Sequence, residues 1–334
     1  MSLTHELKRR LKIMKLGVFT TLMSDMPFAD ACKYFKSIGC DMIEIGCGGY
    51  PGNAHADPEK LLNDEKAFAE FMATIKDNGL EVSALSCHGN PVHPQKDLAE
   101  MYDKTIRNTI LLAEKMGLHQ INTFSGCPGD CADSKYPNWV TCPWPEDFLS
   151  ILDWQWNEVL IPYWKNTVEF AKAHGVNKIA FELHPGFCVY NTDSLKKIRE
   201  AVGPELGANF DPSHLVWQGM DPVKVINEIG DAIFHVHAKD ARIDKYNTAT
   251  TGVLDTKSYG DIKNRSWLFR TVGYGNDEAY WRDIISALKA NGYDYAISIE
   301  HEDALMSKTE GLEKAADFLK PLLIAETAGK MWWA

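Results

Sequence analysis

The chain has 334 residues, a formal net charge of −11, 45% hydrophobic and 24% charged residues. This is the composition of a globular protein with apolar material for one large core. Its acidity argues against nucleic acid or an anionic membrane as partner, because both are gripped mainly by Lys and Arg.

In chain order, short apolar runs alternate with longer amphipathic ones. A strand pattern at 13–20 precedes a helical one at 28–38, then strand 41–47 and helix 58–78, strand 81–88 and helix 98–116, strand 120–124 and helix 148–174. The second half continues with strand 178–184 and helix 194–202, strand 206–211 and helix 222–229, strand 233–239 and helix 278–291, strand 295–300 and helix 309–323. Gly39, Gly79, Gly117, Gly175, Gly203, Gly230 and Gly292 each follow a helical run, where a left-handed stop is cheapest for glycine. Eight strand-helix units in one regular rhythm predict a single (β/α)₈ TIM barrel spanning 1–334, with its core at about 13–325. An open doubly wound sheet is the alternative.

Two connections exceed the minimal rhythm, 126–145 after the fourth strand and 241–277 after the seventh. Both belong to the face where barrel enzymes build active sites, and 241–277 reads as an active-site lid with Gly273 and Gly275 as its hinge. Their Trp139, Trp144, Tyr246, Tyr259, Trp267 and Tyr274 would either stack on a sugar or pack the loops to the barrel. The eight cysteines lack a disulfide-scaffold spacing, so free thiols are expected, and Cys127, Cys131 and Cys142 match no common zinc pair. No stretch approaches the roughly 20 apolar residues of a membrane helix. The polar segment 1–10 lacks a signal peptide's apolar run, so a cytoplasmic protein is expected.

Four successive strand ends carry charge within apolar surroundings: Phe181-Glu182-Leu183-His184, Phe210-Asp211-Pro212-Ser213-His214, His235-Val236-His237-Ala238-Lys239 and Ile299-Glu300-His301-Glu302. Side chains alternate along a strand, so the charged residues point into the barrel while their apolar neighbours face the helices. Inward carboxylates repel one another unless paired or bound to a cation. Glu182, Asp211, His237 and Glu300 form an oxygen-rich set with one nitrogen, which suits Mn²⁺ first and then Mg²⁺, Co²⁺ or Zn²⁺. Separate salt bridges to Lys or Arg are the competing reading. His88 and Ser86 share a face at the end of the third strand, Glu44 ends the second facing inward, and Lys239 shares a face with His237. His235 lies one layer deeper and reads as structural.

The Glu182-x-His184 strand end, Asp211-x-x-His214, the run Val236-His237-Ala238-Lys239-Asp240 and Ile299-Glu300 together resemble the sugar phosphate isomerase/epimerase superfamily, the xylose isomerase-like TIM barrels. The resemblance covers all eight units, from Leu16 to Leu323. It implies one divalent metal held by Glu182, Asp211, His237 and Glu300, with Glu182 and Glu300 also exchanging protons with substrate. It further implies substrate or supporting contacts from His88, His184 and His214, and strand position alone adds Lys239, which could hold a substrate oxygen, and Glu44, for which a salt bridge is the alternative to substrate contact. The expected activity is a metal-dependent isomerase or epimerase of a keto-sugar acting through an enediolate. The alternative is a lyase or dehydratase that cleaves a keto-sugar or keto-glycoside by β-elimination from the same enolate. The expected partner is a small carbohydrate, and homo-oligomerisation is left open.

This chain departs from the epimerases of that superfamily. They tend to carry a further Glu and an Asn-Arg pair after the fifth-strand ligand, where this chain reads Gly186-Phe187-Cys188-Val189-Tyr190-Asn191. The long seventh connection, with Arg242, Arg265 and Arg270, points to a larger, glycosylated or acidic substrate. A zinc endonuclease shares the barrel, but its Asp-x-His pair after the seventh strand is missing here.

Overall fold

All eight expected strand segments form strands, and they close on one another. In the computed structural model, which describes residues 13–326 and 329–333, the barrel order is β1-β10-β7-β6-β5-β4-β3-β2, parallel throughout. The strands are β1 (Lys15–Phe19), β2 (Met42–Gly46), β3 (Glu81–Ser86), β4 (Gln120–Thr123), β5 (Lys178–Glu182), β6 (Leu206–Phe210), β7 (Ile233–Ala238) and β10 (Ala296–Ile299). The segment 1–10 lies outside the described residues. No helix among the described residues is long and apolar enough to cross a membrane.

The barrel's outward residues, among them Ile43, Ile45, Phe181, Phe210, Val236 and Ile299, are buried under the surrounding helices in one continuous core. The inward residues are mostly polar: Glu44, Ser86, Asn122, Asn209, His235, His237 and Ser298 are all buried. Strand alternation thus separates an apolar outer seam from a polar lumen, as the sequence pattern demands.

Helices depart from expectation where a capping side chain competes. The 58–78 segment is two helices, Pro58–Asn63 and Glu65–Asp77, because Asp64 adopts an extended backbone and its side chain accepts from Ala67 N–H. The 148–174 segment is continuous but widens into a π-helix at Gln155–Leu160. Two of the helix-stop glycines form no left-handed cap: Gly203, at φ 154° and ψ 169°, lies outside that region, and the other is Gly230. Its φ is −47°, and the chain runs on into a 3₁₀ turn instead of a left-handed cap.

The seventh connection is built, not loose. Its strands β8 (Asp240–Ile243) and β9 (Trp267–Arg270) pair antiparallel, and a helix, Lys245–Thr251, lies between them. Trp267 stacks on Trp217 with ring centroids 4.6 Å apart and planes 3° from parallel, forming a small core with Ala241 and Phe269. Buried Arg265 lies over Tyr259 and Trp267 and donates to the Trp267 carbonyl, so it braces this hairpin.

Candidate metal centre

Asp211 immediately follows β6 as the N-cap of a five-residue helix, Pro212–Val216, and its Oδ1 accepts from Ser213 N–H at 2.8 Å. That bond leaves Oδ2 turned to the lumen. Glu182 ends β5, His237 sits near the end of β7 and Glu300 follows β10. One ligand atom from each of these four residues lies within 4.8 Å of the other three. The structure therefore brings together the four residues singled out in the sequence.

Burial and charge are in tension here. Burial, with the charges of Glu182 and Glu300, pushes the Asp211 carboxyl up to about 7 against the pull of Lys239 and His237. Burial also opposes ionisation of Glu182, but His214, His237 and His88 outweigh it and hold that carboxyl well below its usual range. For Glu300, Lys239 and His237 overcome burial and hold it at about 2. His237 is buried, yet Glu44 and Glu300 hold its imidazolium form far above the usual range. Its Nδ1 lies 3.0 Å from Glu300 Oε2 and 3.4 Å from Glu182 Oε2, a place for a positive charge.

Two buried oxygens of this cluster, Asp211 Oδ2 and Glu300 Oε2, have no hydrogen-bond partner. Lys239 Nζ lies 3.1 and 2.8 Å from them, close enough to compensate charge but without hydrogen-bond alignment. Orphaned buried carboxylate oxygens are costly, on the order of 1–3 kcal/mol each or more. Three carboxylates and one imidazole nitrogen are a donor set suited to a hard or borderline divalent cation, so the residues fit such an ion. Glu44, His235 and His237 also converge. Their atoms, however, are spent on Ser83, Ser86, Asn122, Asn209 and Ser298, so that trio needs no ion.

Above the cluster opens a cavity of about 380 Å³, lined by Glu182, Glu300, His88, His184, Lys239, His301 and Glu302, and by Phe19, Thr21, Leu22, Tyr50, Pro51 and Phe124. His88, whose ring nitrogens have no hydrogen-bond partner, faces it at 3.1 Å from Glu182 Oε2. Gly49 lets the second connection pack here, since a Cβ at its φ of +72° would stand 2.0 Å from the His88 carbonyl. His184 donates from Nδ1 to the Pro185 carbonyl at 2.5 Å, which assigns the free lone pair to Nε2. Burial keeps that ring neutral by lowering its pKa. Lys239 is its counterpart: burial opposes its charge, but Asp211, Glu300 and Glu302 outweigh burial and hold it well above the usual range.

Two residues considered for substrate contact stand away from the cavity. Glu44 does not line the cavity, because β2 continues to Gly46 and leaves Glu44 one inward step below the mouth, fully buried. His214 is buried beneath Phe269 with Nε2 2.8 Å from Glu182 Oε1, which is the supporting contact of the two expected for it. The six loop aromatics also lie elsewhere: Trp139 packs edge-on to Tyr190, Tyr259 stacks on Phe269, and Trp144 and Tyr246 are exposed. The cavity takes its aromatics from Phe19, Tyr50 and Phe124, with Phe187 stacked behind Phe124 at 4.2 Å. Phe19 and Phe124 stand at strand ends, a signal the sequence carried but their apolar character disguised as core. The eight cysteines are free thiols, six of them buried.

Asp240 was not anticipated. Its carboxylate accepts from Gly273, Gly275 and Asn276 N–H and from Trp281 Nε1, tying the far end of the seventh connection to the barrel one residue after Lys239.

Comparison with known proteins agrees with this architecture. Residues 32–322 match the family described as xylose isomerase-like TIM barrel. The chain is 38% identical over 309 residues to the uncharacterized protein YfiH of Bacillus subtilis (strain 168), covering 92% of this chain and 98% of that one. It is 26% identical over 155 residues to inosose dehydratase of Geobacillus thermodenitrificans, an alignment of 46% of this chain and 50% of the enzyme. In fold it resembles a probable 3-DHS dehydratase, AsbF, from Bacillus anthracis, with a TM-score of 0.63, 18% identity and coverage of 92% and 98%.

Proposed function

The chain belongs to the xylose isomerase-like TIM barrel family, and from that premise and its site we propose a divalent-metal-dependent lyase that acts on a polyhydroxylated ketone by β-elimination. The substrate class is a keto-sugar, keto-cyclitol or keto-glycoside, and the bond broken is carbon–oxygen, releasing water or an alcohol. Glu182, Asp211, His237 and Glu300 would hold the metal, with Mn²⁺ first among the ions such a donor set accepts. When bound, the metal supplies Lewis-acid stabilisation of the negative charge that develops on the substrate's carbonyl oxygen.

One observation carries the reading: the carboxylates that line the cavity, Glu182, Glu300 and Glu302, are each paired with a histidine or with Lys239, while His184 keeps Nε2 open because its Nδ1 donates to the Pro185 carbonyl. A two-carboxylate shuttle needs a competent base on each face of the substrate. Glu182 is engaged by His214 and His88, and Glu300 is weakened as a base by Lys239 at 2.8 Å. His184 Nε2 is therefore assigned to take the proton next to the carbonyl. The C–H electrons form the enolate, which regenerates the carbonyl as it expels the β-oxygen. Lys239 supplies the proton to that oxygen, so the products are an unsaturated ketone and water or an alcohol. The proton left on His184 returns to Lys239 through solvent in the open cavity. The inosose dehydratase relative supports elimination as the class of reaction.

A second reading, isomerisation or epimerisation, is favoured by Glu182 Oε2 and Glu300 Oε2 converging on His237 Nδ1 at 3.4 and 3.0 Å, one pair of carboxylates around one point. The two readings part in one experiment. The Mn²⁺-loaded protein is incubated in heavy water with keto-cyclitols and 3-keto-glycosides, and label uptake, enone absorbance and released alcohol are followed. Elimination predicts enone and leaving group in equal amounts. His184→Gln should lose both label uptake and elimination, whereas Lys239→Met should keep label uptake and slow elimination by roughly 10²-fold or more. A labelled isomer formed with no released group would overturn elimination.

A further inference from the structure

Beneath the proposed ligands lies a carboxylate that does not line the cavity and meets the cluster only through His237. Glu44 Oε1 accepts from Ser86 Oγ at 2.5 Å and Asn122 Nδ2 at 2.9 Å, and Oε2 accepts from Ser298 Oγ at 2.8 Å. Both oxygens also lie 2.9 Å from His237 Nε2. His235 Nδ1 stands 3.9 Å away, already donating to Asn209 Oδ1 at 3.0 Å. Four strands thus converge on one side chain that does no chemistry of its own.

His237 has two ring nitrogens, and they face opposite ways. Nδ1 faces Glu300 and Glu182, while Nε2 faces Glu44. A neutral imidazole carries one proton, and only the nitrogen without it can bind a cation. The other polar neighbour, Asn209, presents its amide Nδ2 at 3.1 Å from Nε2 and 3.4 Å from Nδ1, its oxygen being taken by His235. An amide N–H cannot accept the ring proton, so on the Nε2 side Glu44 is the group that can, while the acceptors on the Nδ1 side, Glu300 and Glu182, are the carboxylates assigned to the cation. A proton held at Nε2 leaves the Nδ1 lone pair turned toward the other three ligands.

We propose that Glu44 is a positioning residue for the metal centre: it fixes His237 as the Nε2–H tautomer, makes Nδ1 the ligating atom and raises the site's affinity. The proposal rests on the assignment of Glu182, Asp211, His237 and Glu300 as metal ligands. It gives Glu44 a role in place of substrate contact, and it explains why a fully buried carboxylate is supplied with donors from Ser86, Asn122 and Ser298. Carboxylate partners of ligating histidines typically raise metal affinity by about 10–100-fold.

The test uses the full chain freed of metal. Co²⁺ affinity is read from its visible absorption, and ¹⁵N-histidine spectra are recorded on the Zn²⁺-loaded protein. The His237 signals are assigned by their loss in His237→Gln. Glu44→Gln keeps size and an acceptor oxygen but removes the charge. It should weaken Co²⁺ binding about 10–100-fold and move the Nε2–H proton upfield, while the metal-free protein melts within a few degrees of wild type. Ser298→Ala, which strips one donor from Glu44 without touching His237, should weaken binding by a smaller factor and supplies the measurement if Glu44→Gln fails to fold. A wild-type spectrum with the proton on Nδ1, or equal Co²⁺ affinity in wild type and both variants, would overturn the role of Glu44 while leaving the four-ligand site standing. A wild-type chain that takes up no Co²⁺ would overturn the site and the inference with it.

Discussion

Asp240→Asn tests whether the seventh connection is held in place by one side chain. Asp240 Oδ2 accepts from Gly273 N–H at 3.1 Å, Gly275 N–H at 3.2 Å, Asn276 N–H at 3.0 Å and Trp281 Nε1 at 3.2 Å. Its Oδ1 accepts from Ala241 N–H at 2.9 Å and Asn276 Nδ2 at 2.7 Å. Burial lifts the Asp240 pKa, and these donors oppose that lift. An amide placed with its oxygen at the Oδ2 position keeps the first four contacts but sets an NH₂ group against Ala241 N–H and Asn276 Nδ2. Even if Asn276 turns its amide over, Ala241 N–H is left unpaired in a buried place, and the remaining bonds lose their charge assistance. An unpaired buried donor costs about 1–3 kcal/mol and the lost charge assistance adds to it, so about 3 kcal/mol in all is expected. At about 2 °C per kcal/mol for a chain of this size, the melting temperature should fall by roughly 6 °C. Limited proteolysis should nick the variant within 241–277 before the barrel is cut, because the tie is local. An unchanged melt together with an unchanged digestion pattern would refute the anchor.

Two further outcomes follow from the site. Asp211→Asn should release the cation and abolish turnover together, whereas His214→Asn should keep the cation and lower kcat/KM by roughly 10²-fold, since His214 supports Glu182 from behind; metal content and steady-state rates on both variants decide it, and loss of metal from His214→Asn would make His214 a ligand. Replacing residues 245–265 by a short Gly-Ser link should raise KM and loosen selectivity while leaving metal content at wild type, because no ligand lies in that segment; metal loss would show the hairpin to be part of the site's frame.

The barrel was legible because its signal is repeated. Each strand is a short apolar run, each helix an amphipathic one, and glycines mark the boundaries, so an error in one unit is corrected by the next. What failed was local. Asp64 looks like any polar helix residue until its backbone is seen extended, and the side-chain cap that splits the helix is worth only about 1 kcal/mol. Strands β8 and β9 have four residues each, too few for alternation to stand out, and their paired residues lie 24 to 30 positions apart in sequence, from Ile243 with Trp267 to Asp240 with Arg270. The four proposed ligands were legible because charge amid Phe, Leu, Val and Ile is costly and therefore informative. Glu44 carried the same signal, but depth did not: whether an inward residue stands at the mouth or one step below depends on where the strand ends, and β2 ends at Gly46.

That difference of one step separates two tiers that look alike in composition. In the lower tier, Glu44 pairs with His237 and takes donors from Ser86, Asn122 and Ser298, while His235 is satisfied by Asn209 and Ser83. In the upper tier, Asp211 Oδ2 and Glu300 Oε2 remain without a hydrogen-bond partner although both are buried. Carboxylates and imidazoles in one place are therefore not enough to mark a site, for the lower tier has both and is closed. Unfilled acceptors beside an open cavity mark a candidate, because Lys239 offsets their charge without filling their hydrogen-bonding capacity. His237 belongs to both tiers, with Nε2 in the closed one and Nδ1 in the open one. Rigidity in the lower tier is thereby passed through a single ring to the place where a cation would bind, and a change at Glu44 reaches that place without disturbing the cavity wall.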